Sequence, residues 1–224
     1  MEAGANIKVF IFTRVIIFVT MEKIKNIIFD LGGIFIDIHF SKTESAFSEL
    51  GVANWSQFYS QHTASDLFEK LETGKITPEE FYEGFRKESG VGLTDMQIQT
   101  AWNAMLGTFS AERLEWLQEI GKRYNVYLFS NTNLIHYIAF NKIFKQTIGG
   151  QDFDAYFIKA HYSHELGLRK PYPESFSKLL QIEKLNASKT LFIDDTAKNI
   201  EGAKLAGLQT SLLLPPATVL DLDL

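Results

Sequence analysis

The chain contains no cysteine. That excludes disulfides, thiolate metal sites and a cysteine nucleophile, and it suits a reducing compartment, so a cytoplasmic protein is the expectation. Positive charge is also scarce: 22 Lys and Arg stand against 27 Asp and Glu, a formal charge of -5. Such a balance offers no basic field for a nucleic-acid backbone. Long hydrophobic runs are missing too. The most apolar stretch, residues 7–19, is interrupted by Arg14, is too short to span a bilayer and has no small-residue cleavage site before Met21. It lacks the Lys- and Arg-rich polar face of a membrane-surface anchor, so no membrane partner is expected. Residues 1–20 read instead as an upstream extension of doubtful authenticity, with a compact domain beginning at Met21. Internal repeats and low-complexity linkers are absent as well.

Of the 224 residues, 46% are apolar, enough for one sizeable domain or for a core domain carrying a smaller insertion. Ile27-Ile28-Phe29 is a buried-strand pattern, and it ends in Asp30 before a Leu31-Gly32-Gly33 turn. Residues 41 to 106 then lose strand character and carry helix-start signals at Ser41 with Glu44, Thr77-Pro78-Glu79-Glu80 and Thr94 with Gln97. Their aromatics, Phe47, Trp55, Phe58, Tyr59, Phe68, Phe81, Tyr82, Phe85 and Trp102, suit a small core of their own more than a pocket lining. From Ser110 onward short apolar runs alternate with helical periods. Helices are expected near 111–122, 133–144, 173 onward and 197–206, and strands at 126–129, 155–158, 190–193 and 211–214. The fold class is therefore α/β: a Rossmann-like, mostly parallel sheet formed by 21–36 and 108–224, with an α-helical cap inserted at 37–107 and ligands at the carboxyl ends of the strands.

Four polar sites fall at or after those strand ends: Asp30, Ser130-Asn131, Lys170 and Asp194-Asp195. Phosphoryl transfer needs an aligned nucleophile, donors for phosphoryl oxygens and compensating positive charge. Asp30 can attack phosphorus and carry an aspartyl-phosphate. Ser130 offers a hydroxyl, Asn131 a backbone amide, and Lys170 a point charge that also keeps Asp30 ionised. Asp194 and Asp195 diverge if both stay extended, so one at most is expected to point directly into the site and hold Mg2+, which suits an all-oxygen ligand set. The plainer reading of each carboxylate is a strand-end or helix-cap residue.

These segments resemble the haloacid-dehalogenase-like superfamily, and specifically its phosphatase branch. The resemblance rests on Phe29-Asp30-Leu31-Gly32-Gly33, Phe129-Ser130-Asn131-Thr132-Asn133, Ser163 through Lys170-Pro171, and Phe192-Ile193-Asp194-Asp195 running to Asn199-Ile200-Glu201-Gly202-Ala203. It implies a helical cap after the first strand, Asp30 as nucleophile, Ser130 and Lys170 as second- and third-motif residues, and Asp30, the Gly32 carbonyl, Asp194 and Asp195 around Mg2+. Asn199 has a counterpart in the family that would orient an acidic side chain of the fourth motif, with helix capping or polar packing an equal alternative. The departure is Gly32, where many family phosphatases have the Asp that protonates the leaving oxygen. Its loss forfeits a factor of about 10² to 10⁴. The Asp-Leu-Gly pattern is similar to that of sugar-1-phosphate phosphatases of the α-D-glucose-1-phosphate type, whose anomeric leaving group partly offsets the missing acid, and it disfavours a phosphomutase. His39, near Asp37 at the cap entrance, is a candidate substitute. His161 and His164 have the spacing of a metal pair in a loop leading to Lys170, but no further ligands accompany them.

The expected substrate is a small phosphorylated metabolite, with a sugar phosphate preferred. The rivals are a haloacid dehalogenase using Asp30 on carbon, and a non-catalytic phosphate- or partner-binding protein. The Asp194-Asp195 pair argues against the first, since a metal-free dehalogenase has little reason to concentrate carboxylates beside its nucleophile.

Overall fold

A computed structural model describes the backbone of residues 7–12, 15–20, 23–60 and 64–224, and side chains within the last two ranges. Strands β1 (Ile7–Phe12) and β2 (Val15–Thr20) pair antiparallel as a separate two-stranded sheet. They lie in the segment read as an extension; its other residues, 1–6 and 13–14, fall outside the described ones.

The body is built on five parallel strands. β3 (Asn26–Phe29) is central and has β6 (Asn125–Ser130) on one side and β8 (Thr190–Asp194) on the other. β7 (Lys159–Tyr162) flanks β6, and β9 (Gln209–Leu212) flanks β8. Parallel strands require crossovers, and helices on both faces make each strand a continuous apolar run. Ile27 and Phe29 point into one core with Leu128, Phe140 and Phe153, while Ile28 points into the other with Tyr127, Phe176 and Phe192. The helices α5 (Ala111–Gly121) and α6 (Leu134–Thr147) cover the first face; α8 (Pro173–Glu183) and α9 (Ala197–Leu205) cover the second.

Two expected strands are misplaced in the sequence reading. Residues 153–156 form a single 3-10 turn, because Phe153 and Phe157 both plug the core from that turn; the strand follows at Lys159–Tyr162, where His161 hides the apolar pattern. The last strand is Gln209–Leu212 rather than 211–214. Its pairing begins immediately after the Gly207 turn (φ 85°), which leaves Leu214 beyond the ladder and exposed.

Between β3 and β6 the chain makes a short antiparallel pair, β4 (Ile36–Ile38) with β5 (Leu106–Phe109). Helices α1 (Phe40–Glu49), α2 (Asp66–Glu72), α3 (Pro78–Ser89) and α4 (Asp95–Asn103) lie between them. Reciprocal capping boxes open α3 (Thr77 with Glu80) and α4 (Thr94 with Gln97), each worth about 1 kcal/mol. Ser41 is not a cap. The His39 amide donates to the Met105 carbonyl (2.8 Å) at the end of the β4–β5 pair, so the helix starts a turn-fraction earlier at Phe40 and Ser41 falls inside it. The aromatics of these helices do form their own core: Phe47 stacks on Trp55 at 4.4 Å, and Phe68, Phe81, Phe85 and Trp102 surround them. Tyr59 packs against this core, with its ring 4.7 Å from Trp102, and also lines the cleft described below.

Candidate active site

The chain order places the site. It runs from β3 through the helical insertion to β6 and β7 on one side, then crosses back to β8 and β9 on the other. The carboxyl end of β3 is thus the point where strand order reverses, and there adjacent strand ends open a crevice. Asp30 follows β3 directly, Ser130 ends β6 and Asp194 ends β8; the Asp30 amide donates to the Ile193 carbonyl (2.9 Å), which sets the two acids side by side.

Lys170 comes from the loop before α8 and is almost completely buried. Its Nζ donates to Asp30 Oδ1 (2.6 Å) and Asp194 Oδ2 (2.7 Å), with the rings of Phe129 and Phe192 at 5.6 and 5.4 Å. The Asn131 side chain fixes the loop: Nδ2 donates to the Lys170 carbonyl and Oδ1 accepts the Lys170 amide, both at 2.9 Å. Sequence reasoning assigned Asn131 only a backbone amide and missed this clamp. Asp194 is saturated with donors, since the Thr196 amide (2.8 Å) and Asn199 Nδ2 (3.1 and 3.0 Å) join Lys170. Asn199 therefore does orient an acid of the pair.

Asp195 lies off the strand. The pair does not stay extended, the condition on which divergence was expected: Asp195 alone of the two lines the cleft, while Asp30, Asp194 and Asp195 each present an oxygen within 4.8 Å of the others. β8 ends at Asp194, so Asp195 stands on the turn into α9 rather than on extended strand, and Thr196 Oγ1 donates to it (3.0 Å). Gly33 makes room for it. Its φ of 70° favours glycine, and a Cβ there would overlap Asp195 Oδ2.

Three carboxylates facing one ammonium leave a deficit of positive charge. Burial, then Asp194 and Asp195, push the Asp30 carboxyl up to about 7 against the pull of Lys170. Burial and Asp194 likewise raise Asp195. Burial opposes the Lys170 charge, yet Asp194 and Asp30 outweigh it and hold the ammonium above its usual value. A divalent cation is the species such an all-oxygen cluster fits.

The cleft above Asp30 has a volume of about 380 Å³, near the lower end for ligand pockets and suited to a small metabolite. Ser130, Asn131, Lys170, Asp195 and Asn199 line its body side; Phe40, Tyr59, Ala64 and Glu69 line its helical side. Gly32 lies on the floor. Its φ is ordinary for any residue; what fills the place of a longer side chain is Ile38, whose Cγ1 would sit 3.1 Å from a Cβ. His39 lines a neighbouring cleft with Asp37 and Arg113 instead. His161 is not in a loop: it stands on β7 with Nε2 against Glu183 (2.8 Å), and among the described residues the acidic trio alone gathers three or more candidate metal ligands.

Sequence reasoning missed a second polar group facing the trio. The Tyr59 hydroxyl donates to Glu72 Oε1 (2.8 Å), Arg169 Nε pairs with Glu72 Oε2 (2.9 Å), Arg169 Nη1 lies 3.8 Å from Glu69 Oε2, and the Tyr172 hydroxyl reaches Glu69 Oε1 (3.4 Å). Glu69 and Glu72 are one helical turn apart on α2, a spacing that also fits a solvated face. Arg169 directly precedes Lys170, and that neighbourhood was the one signal for it.

A parallel sheet, helices inserted over its carboxyl edge and carboxylates gathered around a buried lysine define an α/β hydrolytic enzyme centred on a carboxylate. The model of the haloacid dehalogenase-like hydrolases matches residues 24–207, and the chain belongs to that family, among its phosphoric monoester hydrolases. It is 33% identical over 188 residues, 84% of this chain and 90% of its relative, to the D-ribitol-5-phosphate phosphatase of Bacteroides thetaiotaomicron. A crystal structure of a haloacid dehalogenase family enzyme from the same organism, an Asp-to-Ala variant in complex with magnesium and inorganic phosphate, superposes with a TM-score of 0.80 at 32% identity, covering 86% of this chain and 95% of that one. A hydrolase of the same family from Porphyromonas gingivalis gives 0.77 at 29% identity over 85% and 91% of the two chains.

Proposed function

We propose that the protein is a Mg2+-dependent phosphatase that hydrolyses a sugar or sugar-alcohol monophosphate through an aspartyl-phosphate on Asp30. The observation that carries this reading is the convergence of the Asp30, Asp194 and Asp195 oxygens around Lys170 at the carboxyl ends of β3 and β8. Asp30, the Gly32 carbonyl and Asp195 would hold the cation, with Asp194, already saturated by donors, contributing mainly charge. Bound there, Mg2+ supplies Lewis-acid neutralisation of phosphate charge. Lys170 favours the ionised form of Asp30 and supplies positive charge beside the phosphoryl group, while Ser130 and the Asn131 amide would donate to its oxygens. Residues 37–107 act as the cap and 21–36 with 108–224 as the catalytic body.

The relative's named substrate, the ester of a primary alcohol, draws the reading toward sugar alcohols rather than anomeric phosphates. Chemistry without an acid at Gly32 then depends on the leaving group's own acidity. The test is a panel of phosphate esters and 2-chloro acids, assayed with Mg2+ and after chelation. Metal-dependent phosphate release is the predicted outcome; chloride release without metal would support a dehalogenase, and no turnover on either panel a binding protein.

A further inference from the structure

The group of Tyr59, Glu69, Glu72, Arg169 and Tyr172 takes no part in the chemistry above, yet it closes the cleft opposite Asp30. Glu72 is buried behind the cleft wall; one oxygen accepts from the Tyr59 hydroxyl, and the other lies 2.9 Å from Arg169 Nε as an ion pair without an aligned hydrogen bond. Two consequences follow from elementary hydrogen-bond chemistry. The single Tyr59 proton is committed to Glu72, so the phenolic oxygen can meet the cleft only as an acceptor. Arg169 Nε forms an ion pair with Glu72 and Nη1 lies 3.8 Å from Glu69, neither as an aligned hydrogen bond, so the guanidinium brings N–H donors to the cleft wall. Glu69 adds carboxylate oxygens that accept.

Acceptors and donors together on one wall of the cleft match hydroxyl groups, each of which gives one proton and takes another. The local charge points the same way. Two carboxylates face one guanidinium at this end of the cleft, whereas Lys170 and Lys198 belong to the body wall. A second phosphate or a carboxylate on the substrate would meet a net negative wall, and an alkyl tail would strip water from charged groups without replacing it. We propose that Tyr59, Glu69 and Arg169 form the specificity site for the uncharged, polyhydroxylated part of the substrate, with Glu72 as the positioning residue that sets the direction of the Tyr59 proton and holds Arg169. This rests on the phosphatase reading and narrows it to monophosphates of neutral polyols.

The experiment measures kcat/KM of the full chain with Mg2+ for a pentitol 5-phosphate, n-pentyl phosphate, a pentose bisphosphate and p-nitrophenyl phosphate. The wild type should prefer the pentitol ester to n-pentyl phosphate by at least about 100-fold, because the alkyl chain would desolvate the polar groups of this wall and leave them unpaired. Tyr59→Phe should cut that ratio about 10-fold, mainly through KM of the pentitol ester, the worth of about one hydrogen bond. Glu69→Gln should raise the bisphosphate rate relative to the pentitol monophosphate. Ratios taken on one sample do not depend on the folded fraction. Equal rates for pentitol and pentyl esters in the wild type, or equal proportional losses on both in Tyr59→Phe, would overturn the specificity site while leaving the phosphatase reading intact. Hydrolysis of none of the four esters would overturn both.

Discussion

At the residue scale the site places charge against stability. Asp30 is held near 7 in the folded chain against about 3.9 unfolded, so the folded state binds the extra proton between those values and stability falls as pH rises through that window. Asp30→Asn should therefore abolish turnover and, in chelator, be more stable relative to wild type at pH 8 than at pH 4, since the variant carries no group that must lose a proton in the buried site. Urea unfolding of both proteins at the two pH values checks it; a variant no more stable relative to wild type at pH 8 than at pH 4 would contradict the burial argument. Lys170→Met works in the other direction. It strands Asp30 and Asp194 in a buried site, and a loss of about 3–5 kcal/mol is expected along with activity. Ile38 occupies the room next to Gly32, so no carboxylic acid assists departure of the alcohol there. When chemistry limits the rate, aryl phosphates should turn over faster than alkyl phosphates of similar size; a flat dependence on leaving-group pKa would show that another group supplies the proton.

At the scale of elements, α9 meets the lysine loop through Gly202. A Cβ at this position would overlap the Pro171 carbonyl oxygen, and the Phe176 ring stands at 3.2 Å. Gly202→Ala should cost about 1–3 kcal/mol by overpacking and displace Lys170. The comparison is Thr77→Ala, which removes a cap on an exposed helix end: about 1 kcal/mol of stability and no change in kcat. Thermal unfolding and steady-state rates separate the two. Elements were legible where local chemistry and tertiary demand agree. Thr77, Thr94 and Pro173 open helices as read, and Ile27-Ile28-Phe29 and Leu191-Phe192-Ile193 are central strands. They were illegible where packing overrides pattern. Phe153 and Phe157 are core residues on a turn, and Ile36-Asp37-Ile38 is too short a pair partner to announce itself. Of the candidate site, Asp30, Ser130, Asp194 and Asp195 stood out because each closes an apolar run, and Lys170 stood out through the Ser163-to-Pro171 segment of the family resemblance. Glu69, Glu72 and Arg169 did not, since a buried ion pair across two segments leaves no local periodicity.

At the scale of the whole molecule, the helical insertion and the body are joined through His136. It lies on α6, stacks on Trp102 of α4 at 4.4 Å, and its Nε2 is 3.1 Å from the Trp102 carbonyl, an acceptor that requires the Nε2–H tautomer. Burial lowers its pKa to about 4 despite that bond. The unfolded state thus binds the proton that the folded state refuses. Stability from this residue is complete above about 6.5 and is lost as pH falls toward 4, a change on the order of 3 kcal/mol. Replacing it by Gln should flatten the pH dependence of urea midpoints across that range; an unchanged slope would assign the acid sensitivity elsewhere.

The central claim is that Asp30 becomes phosphorylated. Acid-quenched single-turnover reactions with a substrate radiolabelled in its phosphate, run with Mg2+, measure it directly. Transient, hydroxylamine-labile label on the peptide containing Asp30, absent from Asp30→Asn along with turnover, is the predicted result. Phosphate release by Asp30→Asn at the wild-type rate, with no labelled peptide in either protein, would contradict it.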